Sequence, residues 1–212
     1  NGPNLTTLSG ESRAVREITA EFESNGVRAT MMDVSHAFHS PLLDPILNDF
    51  EAVARSVEYK PTQCVVISNL TGEAFEIGHC FDAAYWREHM RNAVLFEPSI
   101  RTLHHLGCTA FLELGSGNGN IAMGRRCVAD AKLEWLPSLT KGQDDWRILA
   151  QSLASLYVRG ADVRWETFVQ TPARRIALPS YPFERERFWV SDTAPLRKPS
   201  HARNAQSSVP RA

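Results

Sequence analysis

Two histidines flank a small residue and an aromatic ring in Val34-Ser35-His36-Ala37-Phe38-His39-Ser40-Pro41-Leu42, and no other stretch of the chain is better suited to chemistry. An imidazole exchanges protons near neutral pH, so a histidine that faces a cleft can act as general base or general acid. Its neighbours predict a rigid mounting. Residues 27–34 carry β-branched and apolar side chains and predict an extended strand. Ser40-Pro41 followed by apolar periodicity predicts a helix with serine as N-cap and proline at its first position. Such a pair also has a plain structural use, with one ring bonded inside the turn and the other in solvent.

The elements needed to hold this turn follow from periodicity. Residues 5–9 alternate like a short strand, and residues 12–24 place Val15, Ile18 and Phe22 on one helical face before Asn25-Gly26. Residues 41–57 predict an amphipathic helix with Leu42, Ile46, Phe50 and Val53 inward. Residues 64–68 form an apolar run suited to a buried parallel strand. Helices over 84–91 and 99–106, a strand over 110–114, a helix ending at 128, a strand over 133–136 and a helix over 143–159 complete the series. Strand and helix alternate, which predicts an α/β architecture.

The segment His36-Ala37-Phe38-His39-Ser40-Pro41-Leu42 resembles the active-site histidine signature of acyltransferase domains of polyketide synthases, relatives of malonyl-CoA:acyl carrier protein transacylases. The resemblance continues, in the family's order, through Asn1-Gly2-Pro3, Ser68-Asn69-Leu70-Thr71-Gly72, Tyr85-Trp86-Arg87-Glu88-His89, Phe111-Leu112-Glu113-Leu114-Gly115 and Leu178-Pro179-Ser180-Tyr181-Pro182-Phe183-Glu184-Arg185-Glu186-Arg187-Phe188-Trp189. It implies part of an α/β-hydrolase-like lobe with a parallel sheet, part of a ferredoxin-like small lobe, and an extended linker. The implied divisions are 1–36 for the small lobe, 37–130 for the large lobe, 131–190 for the post-acyltransferase linker and 191–212 for a disordered tail.

The resemblance also implies roles. His39 would be the general base, serving first a serine nucleophile and then the phosphopantetheine thiol of an acyl carrier protein. In the family a main-chain carbonyl orients that histidine, and the matching position is His89; Asn69 is implied as a supporting residue. His36 and Phe38 would shape the acyl pocket. A Phe38 ring fills room that an α-methyl group would need, so a malonyl group from malonyl-CoA is the expected cargo, by a margin of about 1–3 kcal/mol. One departure matters: the family's serine lies in a Gly-His-Ser-x-Gly elbow, and no Gly-x-Ser-x-Gly occurs in these 212 residues. The expectation is a C-terminal portion that carries the base without the nucleophile and is inactive by itself.

Two other readings compete. Phe111 to Gly119 ends a strand in an acid and continues as Gly-x-Gly-x-Gly, like the first motif of S-adenosylmethionine-dependent methyltransferases. The aromatic and arginine-rich stretch 178–189 suits a non-catalytic docking module, with the ketosynthase and other domains of the same synthase as partners. A net charge of -1 gives no electrostatic argument for nucleic acid or for an anionic membrane surface. No apolar run approaches the roughly 20 residues of a membrane span. Cys64, Cys80, Cys108 and Cys127 are widely spaced, and neither His79-Cys80 nor His104-His105 has a paired ligand at metal-site spacing. No bound cofactor, no metal and a reducing cytoplasm are the expectations.

Overall fold

The computed structural model describes residues 1–168 and 176–186. Asn1–Arg164 form one compact unit, and a second begins at Trp165. The fold is α/β. Its order is α1 (Ser12–Ser24), a 3-10 helix (Pro41–Ile46), α2 (Leu47–Ala54), β1 (Val66–Ile67), β2 (Ala74–Phe75), α3 (Ala83–Arg91), α4 (Phe96–His105), β3 (Ala110–Glu113), α5 (Gly119–Cys127), β4 (Glu134–Pro137), α6 (Asp145–Val158) and α7 (Trp165–Phe168).

The parallel strands β3 and β4 pair from Ala110↔Glu134 to Glu113↔Pro137, with α5 as the crossover between them. The core gathers on this unit: Ile100, Ile121, Cys127, Leu133 and Trp135, with Phe96, Leu103, Phe111 and Val128 packed against them. Phe111 and Trp135 stack across the strand pair at 4.3 Å between centroids. Glycine at 124 is what lets α5 lie on that indole, because a Cβ there would stand 2.3 Å from Trp135. Helix α6 packs on β4, where Ser152 Oγ donates to the Pro137 carbonyl at 2.6 Å.

Four sequence expectations need correction. Residues 27–34 form no strand, and Val27, Met31, Met32 and Val34 are all exposed. A strand requires a partner for its backbone groups, and the chain around Leu5 makes only a single bridge to Gly2. Residues 64–68 yield only β1, which is half-buried and pairs antiparallel with β2; the short connection between them is a hairpin, since a parallel pair needs a long crossover. The helix over 41–57 opens as a 3-10 helix with Pro45 inside it, and the buried side chains are Leu43, Leu47 and Ala54, while Leu42, Ile46 and Val53 are exposed. Finally, a short helix, α7, stands within the span expected as an extended linker. The tail 191–212 lies outside the described residues, as do Arg187, Phe188 and Trp189 of the aromatic stretch.

Candidate active site

Ser40 builds the turn that presents His39. Its hydroxyl is buried, accepts from Leu42 N at 3.3 Å as the N-cap of the 3-10 helix, and donates to the Ala37 carbonyl at 2.7 Å. Ser9 Oγ donates to the Phe38 carbonyl at 2.5 Å, tying the turn to the N-terminal segment. His39 itself has φ of 60°, a left-handed conformation that costs a side-chain-bearing residue about 1–2 kcal/mol. The surrounding bonds over-determine it, as strained residues at functional sites require.

Helix α3 provides the other wall. Asp82 caps its start by accepting from Tyr85 N at 2.7 Å. Arg87 bonds Glu51 at 3.0 Å and Asn48 at 2.7 Å, and Arg91 pairs with Asp44, so α3 is fixed to the very elements that follow His39. The C-terminal end of α3 then receives the histidine. His39 N donates to the Met90 carbonyl at 3.3 Å, and His39 Nδ1 lies 2.7 Å from the Asn92 carbonyl oxygen. A carbonyl only accepts, so Nδ1 carries the proton and Nε2 keeps its lone pair. This half-buried ring is therefore oriented with Nε2 free to accept a proton.

The acceptor corrects the expectation for His89. The carbonyl at His39 Nδ1 belongs to Asn92, the C-cap, where the backbone leaves the helical path and turns its oxygen toward the ring. The ring of His89 instead stands edge-on to that of His39, with centroids 6.1 Å apart. Burial first, and the charge of His39 second, lower the His89 pKa below the usual imidazole value. Behind it runs an aromatic cluster through Tyr85, Trp86, Phe81, Phe75 and His79.

Asn69 reaches the site through the backbone. Its carbonyl accepts from Leu95 N at 2.7 Å, which fixes the loop that starts at Asn92, and its Oδ1 accepts from Ser99 Oγ at 3.3 Å. The neighbouring Ser68 is buried and bonds Tyr85 Oη at 2.9 Å. His36 and Phe38 lie side by side at 6.0 Å between centroids, and both are exposed. Sequence reasoning missed Met90, Asn92 and Leu95. Asn92 alone carried a signal, as an asparagine just past a predicted helix end.

The glycine-rich turn has its helix terminus already filled. Glu113 Oε2 accepts from Ile121 N at 2.9 Å and Oε1 from Asn120 N at 3.3 Å, so the acid that would contact a nucleotide caps α5 instead. In the neighbouring strand, Glu134 is held by Arg159 at 2.6 Å. Among the described residues, no group of three or more His, Cys, Asp or Glu could hold a metal ion, and no helix is long and apolar enough to cross a membrane.

An α/β scaffold that presents an oriented imidazole is the equipment of group-transfer enzymes that use a histidine base. The chain belongs to the acyl transferase domain family, which matches residues 1–163. It is 38% identical over 191 residues to phenolphthiocerol synthesis polyketide synthase type I Pks15/1 of Mycobacterium marinum, covering 89% of this chain and 9% of that protein. It is 37% identical over 192 residues to mycoketide-CoA synthase of Mycobacterium tuberculosis, covering 90% of this chain and 5% of that protein. The acyltransferase domain from the second module of the salinomycin polyketide synthase superposes with a TM-score of 0.72 at 38% identity, covering 82% of this chain and 41% of that one. The chain thus spans less than a tenth of these synthases' length and under half of that solved domain.

Proposed function

We propose that this chain supplies the general base of a polyketide synthase acyltransferase, which moves an extender acyl group from coenzyme A to an acyl carrier protein. His39 Nε2 takes the proton of a serine hydroxyl as that oxygen attacks the thioester carbonyl. The C–S bond breaks, and the departing coenzyme A thiolate takes the proton from Nε2. In the second half-reaction Nε2 accepts the proton of the phosphopantetheine thiol, whose sulfur attacks the acyl-serine and returns the serine hydroxyl. The serine belongs to polypeptide outside these 212 residues, and the chain alone is inactive in this reading. The observation that carries the proposal is the Nδ1–H···O=C bond to Asn92, which leaves Nε2 free to accept. His89 and Asn69 act as supports, the first by covering one flank of the ring and the second by fixing the loop behind Asn92.

The cargo is malonyl. Phe38 stands one residue before His39 with its ring 6.0 Å from that of His36, and in this reading the ring takes the room an α-methyl would need. The test is single-turnover transfer from malonyl-CoA to a carrier protein by the complete domain. His39→Ala lowers the rate by about 10²–10⁴, the usual contribution of a positioned base. A rate within twofold of the parent would overturn the assignment. Segment 178–189 is proposed to contact the ketosynthase region; exposed Tyr181 and Phe183, in T-shaped contact at 4.9 Å, favour this.

A further inference from the structure

A histidine base supported only by a neutral carbonyl lacks the carboxylate that holds the imidazolium in a full triad. Helix α3 places a carboxylate behind that carbonyl, at Glu88, four residues before Asn92. Asn92 is held by Glu88 through three contacts: its backbone N–H donates to the Glu88 carbonyl at 2.9 Å, its Nδ2 donates to that same oxygen at 2.9 Å, and Nδ2 also lies 2.8 Å from Glu88 Oε2. The other charged groups of this helix face elsewhere. Arg87 is bound by Glu51 and Arg91 by Asp44, both from the segment that follows His39. His89 is turned edge-on to His39. Glu88 is thus the carboxylate of α3 applied to the residue whose carbonyl orients the base.

We propose that Glu88 is a positioning residue for acyl transfer, acting on His39 through Asn92 to complete a relay of carboxylate, carboxamide residue and imidazole. Two effects are combined. The contact between Glu88 Oε2 and Asn92 Nδ2 fixes the direction of the Asn92 carbonyl. The ionised carboxylate also polarises the Asn92 residue and adds negative charge on the side of the ring opposite Nε2. Charge-assisted hydrogen bonds are roughly twice as strong as neutral ones, so the two contributions can be separated by an isosteric change. Glu88 is exposed, so solvent screens its charge and the effect is a few-fold change in rate rather than an abolition.

This inference rests on the reading of His39 as base, and the experiment separates the two. The complete acyltransferase domain is prepared as parent, Glu88→Gln, Glu88→Asp, Glu88→Ala and His39→Ala, and assayed for malonyl transfer from malonyl-CoA to a carrier protein. Glu88→Gln keeps an acceptor for Asn92 Nδ2 and lowers kcat about fivefold with KM within twofold. Glu88→Ala also loses the orienting bond and lowers kcat further, and Glu88→Asp recovers part of the loss. In ¹⁵N-histidine-labelled protein the His39 Nδ1–H proton resonance moves upfield in Glu88→Gln, because a less polarised carbonyl accepts a weaker bond. Parent-like kcat and an unmoved resonance in both Glu88→Gln and Glu88→Ala would overturn the relay while His39→Ala remained inactive. An active His39→Ala would overturn the base assignment instead.

Discussion

Replacing Gly72 by alanine tests whether the turn beneath Asn69 is what keeps the histidine's acceptor in place. Gly72 has φ of +76°, and a Cβ built on it would stand 2.6 Å from Pro98 Cβ. Its N–H donates to the Ser68 carbonyl at 2.7 Å and its carbonyl accepts from Thr102 Oγ1 at 2.6 Å, so the peptide cannot rotate away without breaking one of them. The left-handed conformation costs an alanine about 1–2 kcal/mol. The collision with the proline ring adds about 1–3 kcal/mol. Reduced freedom of the unfolded chain returns about 0.4–1 kcal/mol. The net loss is roughly 1–5 kcal/mol, which at about 2–4 °C per kcal/mol corresponds to a Tm lower by roughly 2–18 °C.

The effect reaches the chemistry because the displaced turn carries the Asn69 carbonyl, and that carbonyl holds Leu95 N, three residues past Asn92. A shift of about 1 Å at a positioning group can cost up to 10²-fold in rate. Calorimetry of the complete domain gives Tm, and malonyl transfer measured well below the transition of each variant gives kcat. Gly124→Ala is the matched control, since it drives a methyl group into Trp135 in the core of the β3–α5–β4 unit and touches none of the His39 supports. Both variants lose Tm, and Gly72→Ala alone loses kcat. A Gly72→Ala domain with Tm within 1 °C of the parent, or equal rate losses in the two variants, refutes the reasoning.

Phe38→Ser tests the pocket role proposed for the ring. Competition between malonyl-CoA and methylmalonyl-CoA is expected to move toward the latter by about 10- to 200-fold, the range for one methyl group in a pocket; unchanged selectivity removes Phe38 from the pocket. His89 predicts a pH dependence of stability. Its folded-state pKa lies below the ordinary value, so on acidification the unfolded chain takes up the proton first. Its stabilising contribution is complete above about pH 6.5 and is lost as pH falls from there through the folded value. Tm scans between pH 7.5 and 5, taken at roughly half-unit steps, should show a slope that His89→Gln reduces; an identical slope in both proteins contradicts it.

What could be read in the sequence divides along a physical line. Elements whose signals are local came through: α3 spans Ala83–Arg91 against an expected 84–91, and α1 closes before Asn25-Gly26. Strand 27–34 failed because its side chains state a preference that only a neighbouring strand can realise. The buried face over 41–57 failed for a geometric reason. A 3-10 helix advances about 20° more per residue than an α-helix, so six residues of it turn the following face by roughly 120°. Leu43 and Leu47 are buried there where Leu42 and Ile46 were expected.

The site divides in the same way. His39 could be singled out because imidazole is a side-chain property, and His36 and Phe38 stand in the same turn. The orienting group was not, because any residue type offers a carbonyl, and which one faces the ring depends on where α3 ends. Asn92 is selected by its extended backbone at the C-cap, a feature of one residue's ψ rather than of its identity. Its identity matters one step later, where the carboxamide reaches back to Glu88. The imidazole is a side chain's contribution, its orientation a helix terminus's, and the contacts holding that terminus come from a second side chain four residues upstream. A substitution at Asn92 that keeps the helix end but loses the amide should therefore weaken the base without displacing it.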